Sequence, residues 1–126
     1  MEDALFAAME KKVKLSWLLA FYGRMLTDNQ REMARLHWEE DLSFAEIASQ
    51  FSITRQSVHD TVNRTEKQLE TLEEKLGLLR RFQLMEAGLK DCKSKLDSIR
   101  ATEDTEPALL EARRIIETLL DQEEEE

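Results

Sequence analysis

Six polar side chains fall within one ten-residue stretch: Arg55, Gln56, Ser57, His59, Asn63 and Arg64. Arginine offers a planar fork to guanine or to a phosphate, glutamine and asparagine pair with adenine, and serine and histidine donate to phosphate oxygens. Arg55 is expected to make such a contact, and Gln56 stands even between an adenine contact and a solvated side chain. Asp60 lies among them, and its i,i+4 spacing to Arg64 is expected to hold that guanidinium in place. Other chemistry finds little support. His37 and His59 have no partner at metal-ligand spacing. Cys92, the single cysteine, excludes an internal disulfide or a C-x-x-C site and reads as a small buried apolar group between Leu89 and Leu96. There is no glycine-rich phosphate loop, no catalytic carboxylate pair and no nucleophile with a base, so the chain reads as a non-enzyme with neither cofactor nor metal.

Two short helices are needed to present those side chains. Phe44, Ile47, Ala48 and Phe51 recur at i, i+3, i+4 and i+7, which is one apolar stripe, and Ser43 with Glu46 forms a capping box at its start. Ile53 is the lone apolar residue of a three-residue connection, and Thr54 caps a second helix that buries Val58 and Val62. The pattern is a helix-turn-helix whose second helix begins with the polar cluster.

Upstream, a helix over Asp3 to Phe21 is expected to bury Leu5/Phe6, Met9, Val13, Trp17 and Ala20/Phe21, with Gly23 as a left-handed stop. Thr27 and Gln30 form a second capping box, opening a helix from Asp28 to about Glu40 that buries Met33, Ala34 and Trp38. Trp17, Phe21, Tyr22 and Trp38 belong to the core. The formal charge of −9 is awkward for a nucleic-acid binder, but it is unevenly placed. Up to Thr65 there are 8 Lys and Arg against 10 Asp and Glu; from Glu66 on there are 10 against 17. No segment is apolar and long enough for a membrane span, and a cytoplasmic location is expected.

Leu42-Ser43, Glu46-Ile47-Ala48, Ile53 to Gln56 and Val58 resemble the DNA-binding fourth region of bacterial sigma factors. A longer string is similar to the YlxM-type family of small bacterial helix-turn-helix proteins: Phe21-Tyr22-Gly23, Leu26-Thr27, Gln30-Arg31, Asp60 and Arg64 to Lys67, in addition to the residues just named. The resemblance covers about Lys14 to Phe82. It implies an all-α fold and a link to the signal recognition particle pathway, the latter through gene neighbourhood rather than chemistry. Ser52 departs from the pattern, which has glycine at a turn position of positive φ.

Beyond Arg64 no stop signal appears. Val58, Val62, Thr65, Leu69, Leu72, Leu76 and Leu79 form a seam, with Glu66, Lys67, Glu70, Glu73, Glu74 and Lys75 assigned outward. The seam resumes as Phe82, Met85, Leu89, Cys92, Leu96 and Ile99. As one helix, Arg55 to Ile99 would span about 68 Å, with a bend at Gly77 or Gly88 open. After a polar loop, Pro107 starts a helix to about Asp121, apolar around more than half its girth, which needs cover from the long helix and from a second copy. The expected organisation is a helix-turn-helix bundle over 1–65, a packing and dimerisation segment over 66–121, and a disordered acidic tail over 122–126. Two functions fit. One is a nucleic-acid-binding regulator, a homodimer on DNA or structured RNA. The other is a protein adaptor on the signal recognition particle that does not bind DNA directly.

Overall fold

In the computed structural model residues 10–125 are described, and among them the chain is all-α. The helices are α1 (Lys11–Tyr22), α2 (Asp28–Trp38), α3 (Phe44–Phe51), α4 (Arg55–Leu76), α5 (Leu78–Asp97) and α6 (Glu106–Glu125), with a 3₁₀ turn at Gly23–Met25. Leu5, Phe6 and Met9 lie outside the described residues. The chain divides into two compact units, Met1–Arg80 and Arg81–Glu126.

In the first unit α4 packs against α1, α2 and α3. Its stripe of Val58, Val62, Thr65 and Leu69 is buried along its length, and the Thr65 hydroxyl donates to the Thr61 carbonyl at 2.8 Å instead of being left unpaired. Around that stripe close Leu18, Tyr22, Ala34, Trp38 and Ile47. The unit extends past Thr65 to Arg80 because Leu69 and Leu79 are fully buried in the same cluster.

Both capping boxes form. Gln30 N–H donates to Thr27 Oγ1 at 3.2 Å while Thr27 N–H donates back to Gln30 Oε1 at 3.1 Å. Glu46 N–H and Ser43 Oγ are 3.1 Å apart, with Ser43 N–H 3.0 Å from Glu46 Oε1. Each box fixes where a helix starts by satisfying amides that the helix itself leaves open. The Ser43 amide and hydroxyl also hold the Glu46 carboxyl below the usual carboxylate range.

Several expectations are corrected. On α1 the buried residues are Leu15, Leu18, Leu19 and Tyr22, whereas Val13 is 45% exposed and Ala20 faces solvent. Gly23 is not left-handed: at φ −55° it continues into the 3₁₀ turn. The long helix is not continuous. It stops at Leu76 because Gly77 adopts φ 64°, ψ 28°, a conformation open to glycine, and a new helix begins at Leu78. The helix passes through Gly88 unbroken.

Glu73, assigned outward by charge, is turned inward and only 5% exposed. Its carboxylate accepts the Tyr22 hydroxyl at 2.7 Å and the first free amides of α5, Leu79 N–H and Arg80 N–H, each at 3.0 Å. The Tyr22 oxygen in turn accepts Leu78 N–H at 3.1 Å. A carboxylate at a helix N-terminus is favoured by both the open amides and the helix dipole.

In the second unit α6 returns antiparallel along α5. Lys93 meets Glu117 at 3.4 Å, and Arg113 reaches Asp97 at 2.9 Å and the Leu96 carbonyl at 3.3 Å. Phe82, Leu89 and Leu96 are partly buried, but Met85 is 55% and Ile99 50% exposed, and Cys92 is exposed rather than a buried seam residue. The seam splits because α6 covers only one side of α5.

Burial, reinforced by the bond to Glu73, raises the Tyr22 hydroxyl from 10.0 to about 12. The folded value lies above the unfolded one. The stability it reflects is therefore complete below pH 10 and lost as pH rises through about 12. Tyr22 is the only tyrosine, so near-UV titration should show phenolate forming near pH 12; a midpoint near 10 would contradict the burial. Glu73→Ala leaves buried donors unsatisfied and is expected to lower the unfolding free energy by about 3 kcal/mol in urea titrations.

Candidate nucleic-acid interface

The Ser52 turn sets how α4 leaves α3. Ser52 closes α3 at φ 56°, ψ 44°, with its amide on the Ala48 carbonyl, and Ile53 N–H donates to the same carbonyl at 3.1 Å. Thr54 then caps α4 by accepting Ser57 N–H at 3.0 Å. The side chains of Arg55, Gln56, Ser57, His59, Asn63 and Arg64 are all exposed. At about 100° per residue, Arg55, Gln56, His59 and Asn63 share one flank, and Ser57 and Arg64 lie further round, with Arg64 about half a turn from Arg55. Of these, Arg55, Gln56 and His59 border an open hollow completed by Ser43, Phe44 and Ala45 at the start of α3.

Along this flank the polar side chains pair at helical spacing. Gln56 Nε2 donates to Asp60 Oδ1 at 3.0 Å, and Asn63 Nδ2 lies 3.2 Å from His59 Nε2. Asp60 also lies 3.5 Å from His59 Nδ1. Asp60 thus engages Gln56 one turn earlier and not Arg64 one turn later, as its spacing had suggested. Arg55 and Arg64 form no ion pair with another described residue, which leaves both guanidinium groups available to an anion.

His59 is held by a contact that sequence spacing did not single out. Phe44 meets the His59 ring edge-to-face at 5.3 Å and 88°, and stacks on His37 at 4.4 Å and 26°. His37 Nδ1 is 2.9 Å from the Leu42 carbonyl, which fixes that ring from the turn before α3. Three helices therefore meet in this one stack, and His37 has a packing role. The available signal was Phe44 as the first residue after the capping Ser43, where a side chain can reach across to the neighbouring helix. Lys67, exposed one turn beyond Asn63, extends the same ridge.

No three His, Cys, Asp or Glu side chains among the described residues are grouped to hold a metal ion, and no described helix is long and apolar enough to cross a membrane. What the surface offers is two unpaired cations and a row of hydrogen-bonding groups on a helix that the bundle holds rigidly.

Residues 9–107 match the model of the UPF0122 family, described as "Putative helix-turn-helix protein, YlxM / p13 like". A UPF0122 protein of Halalkalibacterium halodurans is 38% identical over 109 residues, covering 86% of this chain and 99% of that one. A UPF0122 protein of Desulforamulus reducens is 37% identical over 113 residues, covering 90% and 96%. One from Geobacillus kaustophilus is 44% identical over 75 residues, 60% of this chain and 68% of its own.

A serine at positive φ is strained where glycine is not. Ser52→Gly is therefore expected to raise the urea midpoint, equivalent to about 1 kcal/mol, with no change in helix content. A lower midpoint would show that the serine side chain stabilises the turn.

Proposed function

The chain belongs to the UPF0122 family of helix-turn-helix proteins, and on that premise we propose that it binds nucleic acid with the exposed face of α4. Arg55 and Arg64 take phosphate or guanine, and Gln56, Ser57, His59 and Asn63 supply further hydrogen bonds to base edges or backbone. Lys67 adds a phosphate contact. The observation that carries this reading is the pair of exposed, unpaired arginines on a helix whose opposite stripe, Val58 to Leu69, is wholly committed to the core. Sequence-independent attraction is weak, because the chain is acidic overall. Recognition then rests on a few directed contacts, with DNA or structured RNA as the ligand.

More specifically, the protein acts as a cytoplasmic regulator that works with the signal recognition particle as a homodimer. The resemblance to the YlxM-type family supports the particle; two recognition helices on one two-fold axis suit half-sites about one helical turn apart. A second reading, the protein adaptor, is favoured by one observation: from Glu66 on the sequence carries 10 Lys and Arg against 17 Asp and Glu, a balance suited to a basic partner.

Fluorescence anisotropy of the wild type and Arg55→Ala, with labelled duplex DNA from around its own gene and with signal recognition particle RNA, separates these readings. The expected result is saturable binding that weakens with salt and is lost by about tenfold or more in the variant at unchanged stability. No binding to either at low salt would overturn the nucleic-acid reading and favour the adaptor, and equal binding by both proteins would overturn the placement of the contact at Arg55.

A further inference from the structure

The hairpin of α5 and α6 leaves an apolar surface uncovered. Within Arg81–Glu126, Ile116 is the only described apolar side chain less than a tenth exposed. A two-helix unit of that length has little core of its own and gains most of its stability from a further packing surface.

The exposed residues are not scattered. At about 100° per residue, Met85, Gly88 and Cys92 fall within roughly 60° of one another on α5, and exposed Ile99 follows two residues past its end. Ala108, Ile115 and Leu119 fall within roughly 40° on α6. Each stripe lies about a quarter-turn from the side that meets the other helix, and in the same rotational sense. For two antiparallel helices, that sense puts both stripes on one face of the hairpin. Ile115 is 52% exposed, Leu119 43% and Ile99 50%. Leu110, 54% exposed, points to the other side of α6 and stands alone there.

We infer that this face is completed by the same face of a second copy, giving a four-helix bundle in which α5 of one chain lies against α6 of the other. Charge selects that occupant. Helix α5 carries five Lys and Arg against three Asp and Glu, and α6 over Glu106 to Asp121 carries two against four, so each helix finds its complement in a copy of the other. A two-fold axis parallel to the helices makes every neighbouring pair antiparallel and the interface self-complementary. Exposed Gly88 presents no side chain in this stripe, and nothing lies within 4 Å of where its Cβ would be, so a partner helix can approach closely there. The inference deepens the homodimer of the reading above by naming its surface, and does not depend on whether α4 touches nucleic acid.

Sedimentation of the full chain at micromolar concentration, with no nucleic acid present, tests it separately from the binding assay. Wild type and Leu110→Glu are expected to sediment as dimers. Ile115→Glu and Leu119→Glu are expected to raise the dissociation constant about tenfold or more at unchanged far-UV helicity, since both sites are half-exposed in the single chain. A disulfide probes the same face without introducing a charge. The Lys93–Glu117 pair sets Cys92 level with Leu119, so Leu119→Cys should join native Cys92 of a second copy and run as a covalent dimer after oxidation. A wild type that is monomeric throughout, both glutamate variants dimerising like the wild type, or no covalent dimer would each overturn the arrangement.

Discussion

One buried carboxylate fixes how α4 ends. Glu73 holds the Tyr22 hydroxyl of α1 and caps the amides of Leu79 and Arg80 at the start of α5. Burying a charged group is unfavourable unless its oxygens are fully used, and here both are used, by donors from two different helices. The knot ties α1 to the far end of α4, so α4 is anchored along its stripe and at its C-terminus. Its first turns are held separately by the Thr54 cap and the Ser52 turn. A helix fixed in this way presents its outward side chains at constant spacing, as a recognition surface requires.

Much of this was legible in the sequence because the signals were local. The capping boxes at Thr27/Gln30 and Ser43/Glu46, the stripe from Phe44 to Ile47 and Ala48, and the cap at Thr54 each rest on residues three or four apart, and each appears where its spacing puts it. The Ser52 turn was recognised from a glycine position occupied by another residue. Non-local features were harder to read. Glu73 was assigned outward because it is charged, although its spacing from Leu69 and Thr65 set it on the buried stripe and Gly77 followed four residues later. Recognising it required knowing that Tyr22, fifty-one residues upstream, would arrive beside it.

The candidate surface divides in the same way. The exposed polar residues on α4 could be chosen from the sequence, since the opposite stripe was plain. The His37–Phe44–His59 stack could not, because it joins three helices through ring geometry that one-dimensional spacing does not encode. Asp60 shows the limit of pair rules: Gln56 and Arg64 are both four residues away, and the helix surface determined which one it bound. On α5 the apolar seam was read as one line, but a single partner helix covers only half of it. The other half, Met85, Cys92 and Ile99, became visible once the return of α6 was known.

The central claim is that the outward face of α4 meets nucleic acid, and amide chemical-shift mapping tests it most directly. The full-length ¹⁵N-labelled protein would be titrated with a duplex DNA and, in a parallel experiment, with a structured RNA. The account expects perturbations concentrated from Ser43 to Ala45 and from Thr54 to Lys67, with the core stripe of α4 unmoved. Perturbations confined to residues 81–121, or none with either ligand at low salt, would contradict it.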